Sequence, residues 1–323
     1  MRKIKGIGKL VIVLALTIAI LAGCSSARET TGQGKVKIGI TQISEFSALD
    51  DNRNGFLEAL KDNGYIEGEN LEIDYQNAQG DLATAQTIAK QFAAQNKDLI
   101  FAIATPAAQA AYNATKDIPV MISAVTDPVA AGIAKSLERP ETNVSGTSDY
   151  LPADKQLVLI KTFAPNAKKI GVLYNTSEVN SEVQLKQLKE YSEKNGYEVE
   201  TVGITSTNEV TQAISSLIGK IDVLFVPTDN LVVSALPLIV QKTKESKIAV
   251  IASEPGSVEA GALAAQGIDY HQLGYKAGEM AVKVLRGEDI SKMSITAATE
   301  TKIVVNEDSL NALGLKKPDN ADI

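Results

Sequence analysis

The sequence predicts an α/β protein of two doubly wound parallel-sheet lobes joined by a hinge. From Lys35 onward, short β-branched runs alternate with amphipathic helical stretches, a pattern typical of right-handed βαβ units. The two halves also share a register. Ile38-Gly39 recurs as Ile170-Gly171 and Gly64-Tyr65 as Gly196-Tyr197, and both spacings are 132 positions (170 − 38 and 196 − 64). One half is therefore predicted to be a duplicate of the other.

Each half is predicted to supply five strands with helices between them. Strands are expected near 36–41, 71–76, 99–104, 120–124 and 144–147, and near 169–174, 198–203, 223–226, 248–252 and 262–267. The helices of the second half are expected near 179–195, 208–218 and 231–244. A helix at 271–286 and a strand at 302–305 are too little for a third domain. Lobe 1 is thus predicted to comprise 35–148 plus about 271–298, and lobe 2 to comprise 149–270 plus about 299–318, with three crossings at a hinge.

The N-terminus has the pattern of a secretory signal peptide over residues 1–23. Four positive charges lie between Arg2 and Lys9, and an apolar run from Leu10 to Leu21 follows, broken only by Thr17. Small residues come next, which is the usual order of such signals. The apolar run is shorter than the roughly 20 residues that a transmembrane helix needs. Export without a membrane span is therefore expected.

The end of this segment reads Leu21-Ala22-Gly23-Cys24 and resembles the bacterial lipobox, in which the cysteine carries the lipid. Lipidation is therefore predicted at Cys24, followed by a flexible tether over 24–34. The expected location is the outer face of the cell membrane or the periplasmic side of an envelope membrane. A buried cysteine in an ordinary signal sequence is the alternative. Because Cys24 is the only cysteine, the chain has no intrachain disulfide.

Composition argues against several function classes. Removing four positive charges leaves 28 Lys and Arg (32 − 4) against 39 Asp and Glu, a formal charge of −11 that repels nucleic acid. His271 is the single histidine, too few for a zinc site of several His or Cys ligands, and it is interpreted as a surface or hinge residue. No dinucleotide or phosphate-loop motif follows a strand. We predict a binding protein without a cofactor; a glycosidase-like enzyme with paired carboxylates is the alternative.

Ligands of open α/β sheets bind beyond the carboxyl ends of the strands, where helix N-termini present free N–H groups. Polar side chains follow nearly every predicted strand. The N-termini of helices can bind a carboxylate, and the acidic side chains can bind an ammonium group. A zwitterion such as an amino acid is therefore the expected ligand. Helix capping alone is the alternative, although Asn175–Ser181, with six polar residues of seven, exceeds what one cap requires. The predicted ligand-binding residues are Ser44, Thr105, Ser123 and Asp127 in the first half, and Asn175, Ser177, Glu178, Asp229, Asn230 and Glu254 in the second.

The stretch Pro119-Val-Met-Ile-Ser-Ala-Val-Thr-Asp127-Pro128-Val-Ala-Ala-Gly132, followed by Asn143-Val-Ser-Gly146, resembles the ABC-transporter substrate-binding lipoproteins related to uptake of tryptophan and other aromatic amino acids. The resemblance implies a type I periplasmic-binding fold, a membrane permease as partner, and an amino-acid ligand, aromatic or branched, held between the lobes of a monomer. A ligand-sensing subunit of a membrane receptor, and a sugar or nucleoside ligand, are the alternatives. The site residues that it implies are Thr105, Ser123, Asp127, Asn175, Ser177, Asp229 and Glu254, with Phe46, Tyr150 and Tyr270 as walls for an aromatic ligand.

Overall fold

Two six-stranded, mainly parallel sheets organise the protein in the computed structural model, which describes residues 34–298 and 300–316. The first sheet has the order β11-β5-β4-β3-β1-β2 and the second the order β12-β10-β9-β8-β6-β7. The strands are β1 (Val36–Gln42), β2 (Leu71–Asn77), β3 (Leu99–Ile103), β4 (Val120–Ser123), β5 (Val144–Ser148), β6 (Lys169–Asn175), β7 (Glu198–Ile204), β8 (Val223–Val226), β9 (Ala249–Ala252), β10 (Ala264–Gly267), β11 (Thr296–Ala297) and β12 (Lys302–Val305).

Helices cover the sheets. They are α1 (Ser47–Asp62), α2 (Leu82–Ala94), α3 (Thr105–Ala114), α4 (Ala153–Phe163), α5 (Val179–Lys194), α6 (Val210–Leu217), α7 (Asn230–Ser234), α8 (Leu236–Glu245), α9 (Gly256–Glu259), α10 (Tyr270–Leu285) and α11 (Glu307–Leu313). The prediction of one helix over 231–244 is wrong, because the helix breaks between α7 and α8. Pro237 causes the break, since it lacks a backbone N–H and its ring clashes with the carbonyl four residues earlier.

Both lobes have the same winding order, so the predicted architecture of two doubly wound lobes is confirmed. The chain leaves the first sheet after β5 and returns through α10, which packs on α1, β4 and β5. It crosses a third time between β11, which extends the first sheet, and β12, which pairs antiparallel with β10 in the second. Three connections, through residues 149–152, through residues 268–269 and between β11 and β12, therefore join the two sheets.

The strands form where the sequence has continuous apolar runs, because helices cover both faces of a parallel sheet. All five residues of β3 are buried. Phe101 on this strand stacks on Phe56 of α1, with ring centroids 3.7 Å apart. Each lobe thus has its own apolar core. No helix among the described residues is long and apolar enough to cross a membrane. Cys24 lies outside the described residues.

Glycines allow α1 and α10 to pack backbone against backbone. A Cβ atom at Gly274 would lie 1.8 Å from the backbone oxygen of Asn52, and one at Gly55 would lie 2.0 Å from the backbone oxygen of His271. Only the absence of a side chain permits this approach. The close packing fixes the start of α10, and hence Tyr270, at the carboxyl edge of the first sheet.

Replacing Gly274 with alanine is expected to lower the free energy of unfolding by about 1–3 kcal/mol, because the new methyl group must push the helices apart. Helix propensity alone predicts the opposite sign, a gain of about 1 kcal/mol. Urea denaturation measures the difference, with Lys276→Ala on the exposed face of α10 as control. A stabilised Gly274→Ala variant would contradict the packing described here.

Candidate functional site

A small cavity lies between the lobes, where the carboxyl ends of the two sheets face each other. Its volume is about 10 Å³, room for roughly one water molecule. An amino acid needs more space, so the lobes must separate to admit a ligand and must close less tightly around it than in this structure. Apolar and acidic groups share the lining, which carries no Lys, Arg or His. The lining residues are Phe46, Leu49, Ala124, Asp149, Asn180, Thr228, Asn230, Val233, Glu254 and Tyr270.

Direct contacts between the lobes show that the structure is closed. The hydroxyl oxygens of Thr126 in lobe 1 and Thr228 in lobe 2 lie 3.3 Å apart. Ser47 at the start of α1 donates to Glu259 of α9 across 3.1 Å. Phe46 packs against the apolar cores of both lobes. These contacts can form only while the cleft is shut.

The polar stretch after β6 is organised around one buried carboxylate, that of Glu178. It accepts hydrogen bonds from the side-chain nitrogens of Asn175 (3.1 Å) and Asn180 (3.0 Å) and from the side chain of Asn230. The backbone N–H groups of Asn230 (3.2 Å) and Leu231 (3.3 Å) also donate to it. Glu178 therefore ties the loop after β6 to the start of α7 and leaves little capacity for a ligand.

Asp229 has a similar structural role. It accepts from the backbone N–H of Asn175 (2.5 Å), from the Ser181 hydroxyl (2.7 Å) and from the Val232 N–H at the start of α7 (2.9 Å). Burial first, and then the nearby Glu178, raises the pKa of Asp229 to about 7. These two carboxyls explain the excess of polar residues after β6: it builds the loops that place Asn180, Thr228 and Asn230 at the cavity.

Asp149 lies in the first crossing segment and lines the cavity. Its Oδ2 accepts a 2.9 Å hydrogen bond from the hydroxyl of Tyr270, which begins α10 directly after the second crossing. Burial raises the pKa of Asp149, although the hydroxyls of Tyr270 and Thr126 oppose the rise. The hydrogen bond joins two hinge segments, so Asp149 links the cavity to the hinge.

Glu254 follows β9 and lines the cavity from lobe 2. Its Oε1 accepts from the Ser257 hydroxyl. Burial raises the pKa of Glu254 to about 7, although hydrogen bonds from Ser257 and the backbone of Gly256 oppose the rise. Glu254 is one of the predicted ligand-binding residues, and in the structure it lines the cavity.

The lobe 1 residues predicted from sequence do not line the cavity. Ser44 and Thr105 are buried at the ends of β1 and β3, and the Thr105 hydroxyl has no partner within the protein. Ser123 points into the lobe, where Asn52 donates to it (2.7 Å) and it pairs with Thr147 (2.8 Å). Asp127 accepts from the two N–H groups of its own turn, at 3.0 and 2.9 Å.

Two residues with strained backbone lie at the carboxyl ends of strands in the first sheet. Ala104 and Ala124, directly after β3 and β4, have positive φ angles of 76° and 55°. Alanine rarely adopts this conformation, which costs of order 1–3 kcal/mol and clusters at functional sites. Ala124 lines the cavity. The strain supports a functional role for this edge.

Three polar residues that line the cavity are not among the predicted ligand-binding residues: Asp149, Asn180 and Thr228. Glu254 was predicted because it follows a strand, and ligands of open α/β sheets bind beyond strand ends. Asp149 lies in a segment that crosses between the lobes, so this criterion does not select it. Of the three aromatic walls, Phe46 and Tyr270 line the cavity, whereas the Tyr150 hydroxyl accepts from Gln187 of α5 at 3.3 Å.

Ser177 lies elsewhere, in an open groove of about 400 Å³ beside α2 and α3. No side chain of that lining has a buried polar atom without a partner, whereas the cavity between the lobes has three. His271 pairs with Glu58 at 2.9 Å and stands apart from the cavity lining. Among the described residues, no group of three or more His, Cys, Asp or Glu is arranged to hold a metal ion.

Comparison with known proteins identifies the family. The family model described as "ABC transporter substrate binding protein" matches residues 37–322. A tyrosine-binding protein of Clostridioides difficile is 54% identical over 326 residues, covering 98% of this chain and 94% of the relative. Relatives of this kind bind substrates and are not enzymes, which confirms the prediction of a binding protein.

Two solved structures bear on the state of the cleft. A Streptococcus pneumoniae domain in complex with L-Trp is 38% identical and superimposes with a TM-score of 0.86, covering 89% of this chain and 97% of that one. The ligand-free, open structure of a Clostridium difficile substrate-binding protein with adhesive properties is 62% identical at the same coverage, yet its TM-score is 0.68. The better match at lower identity agrees with the closed cleft described above. The chain belongs to the family of ABC transporter substrate-binding proteins.

Proposed function

We propose that this protein is the lipid-anchored receptor of an ABC importer and that it binds an aromatic amino acid, with tyrosine as the first candidate. The cavity carries the proposal, because it combines apolar walls with buried hydrogen-bond acceptors. Phe46, Leu49 and Val233 supply the walls for a side chain. The acidic groups opposite suit the amine of an amino acid. The tyrosine-binding relative and the L-Trp complex support the same ligand class.

The mechanism is closure of the hinge upon the ligand. A ligand that contacts both lobes stabilises the closed form in proportion to its preference for closed over open. The permease then receives the closed receptor and its ligand.

Isothermal titration of the protein from Ser25 onward tests the ligand. L-Tyrosine, L-tryptophan and L-phenylalanine are expected to bind, and L-leucine and neutral sugars to bind more weakly or not at all. Phe46→Ala should weaken binding of all three aromatic amino acids, because it removes a wall of the cavity. Tight binding of a sugar or nucleoside, together with no measurable binding of any amino acid, would contradict the assignment of an amino-acid ligand.

The anchor has its own test. Cys24→Ala is expected to abolish lipidation and to release the protein from the membrane, because no other cysteine can carry the lipid. Fractionation of cells expressing each form, followed by immunoblotting, measures the release. Retention of the variant in the membrane fraction would contradict the anchor.

A further inference from the structure

Three buried oxygen atoms at the cavity have no protein donor in good hydrogen-bond geometry. They are Oδ1 of Asp149, Oδ1 of Asn180 and Oε2 of Glu254. The three residues are only 3%, 2% and 2% exposed, and all of them line the cavity between the lobes. Buried polar atoms normally have partners, because an unpartnered one loses the hydrogen bonds that water would otherwise make to it. The arrangement therefore calls for donors from outside the protein.

The other hydrogen bonds of these three side chains determine which atom of each one lacks a partner. Tyr270 donates to Oδ2 of Asp149, and Ser257 donates to Oε1 of Glu254. The Asn180 amide nitrogen donates to Glu178 (3.0 Å) and to the backbone oxygen of Thr228 (2.8 Å), two groups that can only accept. The amide oxygen of Asn180 must therefore be the unpartnered atom. All three free positions are acceptors.

A cationic donor fits this site best. No Lys, Arg or His lies among the lining residues, so the protein itself supplies no counter-charge for Asp149 and Glu254. An ammonium group carries one positive charge and three N–H donors, which equals the number of unpartnered acceptors. A carboxylate or a neutral sugar ring cannot neutralise two buried carboxyls.

We propose that Asp149, Asn180 and Glu254 form an amine subsite that makes a protonated amine obligatory in any ligand of this protein. The inference rests on the proposed function and makes it more specific, since it names the groups that bind the amine of the ligand. Asp149 belongs to a hinge crossing, whereas Asn180 and Glu254 belong to lobe 2. The amine therefore bridges the hinge and lobe 2, and the ligand side chain extends towards Phe46. Asp127 and Asp229 are two of the acidic residues predicted from the sequence. Asp127 accepts hydrogen bonds from its own turn, and Asp229 accepts them from Asn175, Ser181 and the start of α7.

Calorimetric titration with three related probes tests the subsite: L-tyrosine, tyramine, which keeps the amine but lacks the carboxylate, and 3-(4-hydroxyphenyl)propanoate, which lacks the amine. The propanoate is expected to bind the wild-type protein at least 100-fold more weakly than L-tyrosine. Tyramine should bind more tightly than the propanoate. Asp149→Asn and Glu254→Gln should each weaken L-tyrosine binding by about 30- to 1000-fold, the loss expected when one partner of a buried charge pair is removed.

The same substitutions should change binding of the propanoate less than 10-fold, because that probe never engages the subsite. Asp117→Asn and Glu245→Gln, which make the same chemical changes at exposed positions, are the matched controls and should bind L-tyrosine normally. Circular dichroism and thermal unfolding check that each variant folds. Should a variant fail to fold, the comparison of probes on the wild-type protein still decides.

Equal affinity for the propanoate and L-tyrosine, or normal L-tyrosine binding by both variants, would overturn the subsite. Loss of binding in EDTA would also overturn it, because a metal ion would then occupy the acceptors. Failure of the proposed function looks different. If a non-aromatic amino acid binds instead and depends on Glu254, the aromatic assignment fails and the amine subsite stands. If only an uncharged sugar binds, both fail.

Discussion

The ligand-free protein is expected to be open at pH 8 and to close as the pH falls to 5. We expect opening of the cleft to solvate Glu254 and to return its pKa towards the ordinary value of 4.5, whereas burial in the closed cleft raises the pKa to about 7. The closed form thus binds the proton more tightly, and closure without ligand is favoured as the pH falls from 7 to 4.5. Above pH 7 the buried charge opposes closure by up to about 3 kcal/mol (2.5 pKa units at 1.36 kcal/mol each).

The surroundings of Glu254 support this sign. The Ser257 hydroxyl and the backbone N–H groups of its own loop partly stabilise the charge, but the other ionisable groups near it are also acids: Glu259, Tyr270 and Asp149 of the same cavity. No Lys, Arg or His lines the cavity to compensate the charge. A ligand ammonium would supply the missing charge, so closure at neutral pH becomes dependent on the ligand.

Small-angle scattering measures this closure through the radius of gyration. The ligand-free protein should become more compact between pH 8 and pH 5, and saturating L-tyrosine should compact it at pH 8. Glu254→Gln should be compact at pH 8 without ligand, because the amide carries no charge, whereas the control Glu245→Gln should follow the wild type. A radius of gyration independent of pH in the wild-type protein would refute the account.

Glu178→Ala is expected to destabilise the protein by more than about 3 kcal/mol. The substitution leaves five donors of the loop after β6 and of α7 without their buried acceptor, and each such loss costs about 1–3 kcal/mol. It also releases Asn180 and Asn230 from their positions at the cavity, so ligand affinity should fall as well.

Urea denaturation and calorimetry measure the two effects on the same preparation. The neighbouring Ser177→Ala is the control, because the exposed Ser177 side chain takes no part in the network around Glu178, and its stability should change by less than about 0.5 kcal/mol. A Glu178→Ala variant as stable as Ser177→Ala would show that the network does not hold these loops together.

Much of the fold could be predicted because a buried parallel strand has a simple sequence pattern. The runs in β3 and β8 are apolar throughout and bounded by turn residues, so they were recognised without structural information. The two-residue strand β11 has no such pattern, since its pairing with β5 depends on where the third crossing brings the chain. The break between α7 and α8 has a signal in the sequence, since Pro237 lies inside the predicted helix over 231–244 and proline interrupts a helix.

The candidate site was harder to predict, because a carboxylate that caps a helix and one that awaits a ligand look alike in sequence. Asp229 and Glu254 both follow strands of lobe 2. The first has its oxygens occupied by donors, and the second keeps Oε2 unpartnered at the cavity. Only their hydrogen-bond partners in the structure distinguish these two carboxylates. Asp149 was not predicted for another reason. It lies in a hinge segment, whereas the prediction considered only residues that follow strands.

A crystal structure of the complex with L-tyrosine tests the central claim most directly. The account predicts the ligand between the lobes, its ammonium nitrogen within about 3 Å of Asp149, Asn180 and Glu254, and its ring beside Phe46. An ammonium group bound to Asp127 or Asp229 instead, or a ligand in the groove beside Ser177, would contradict it.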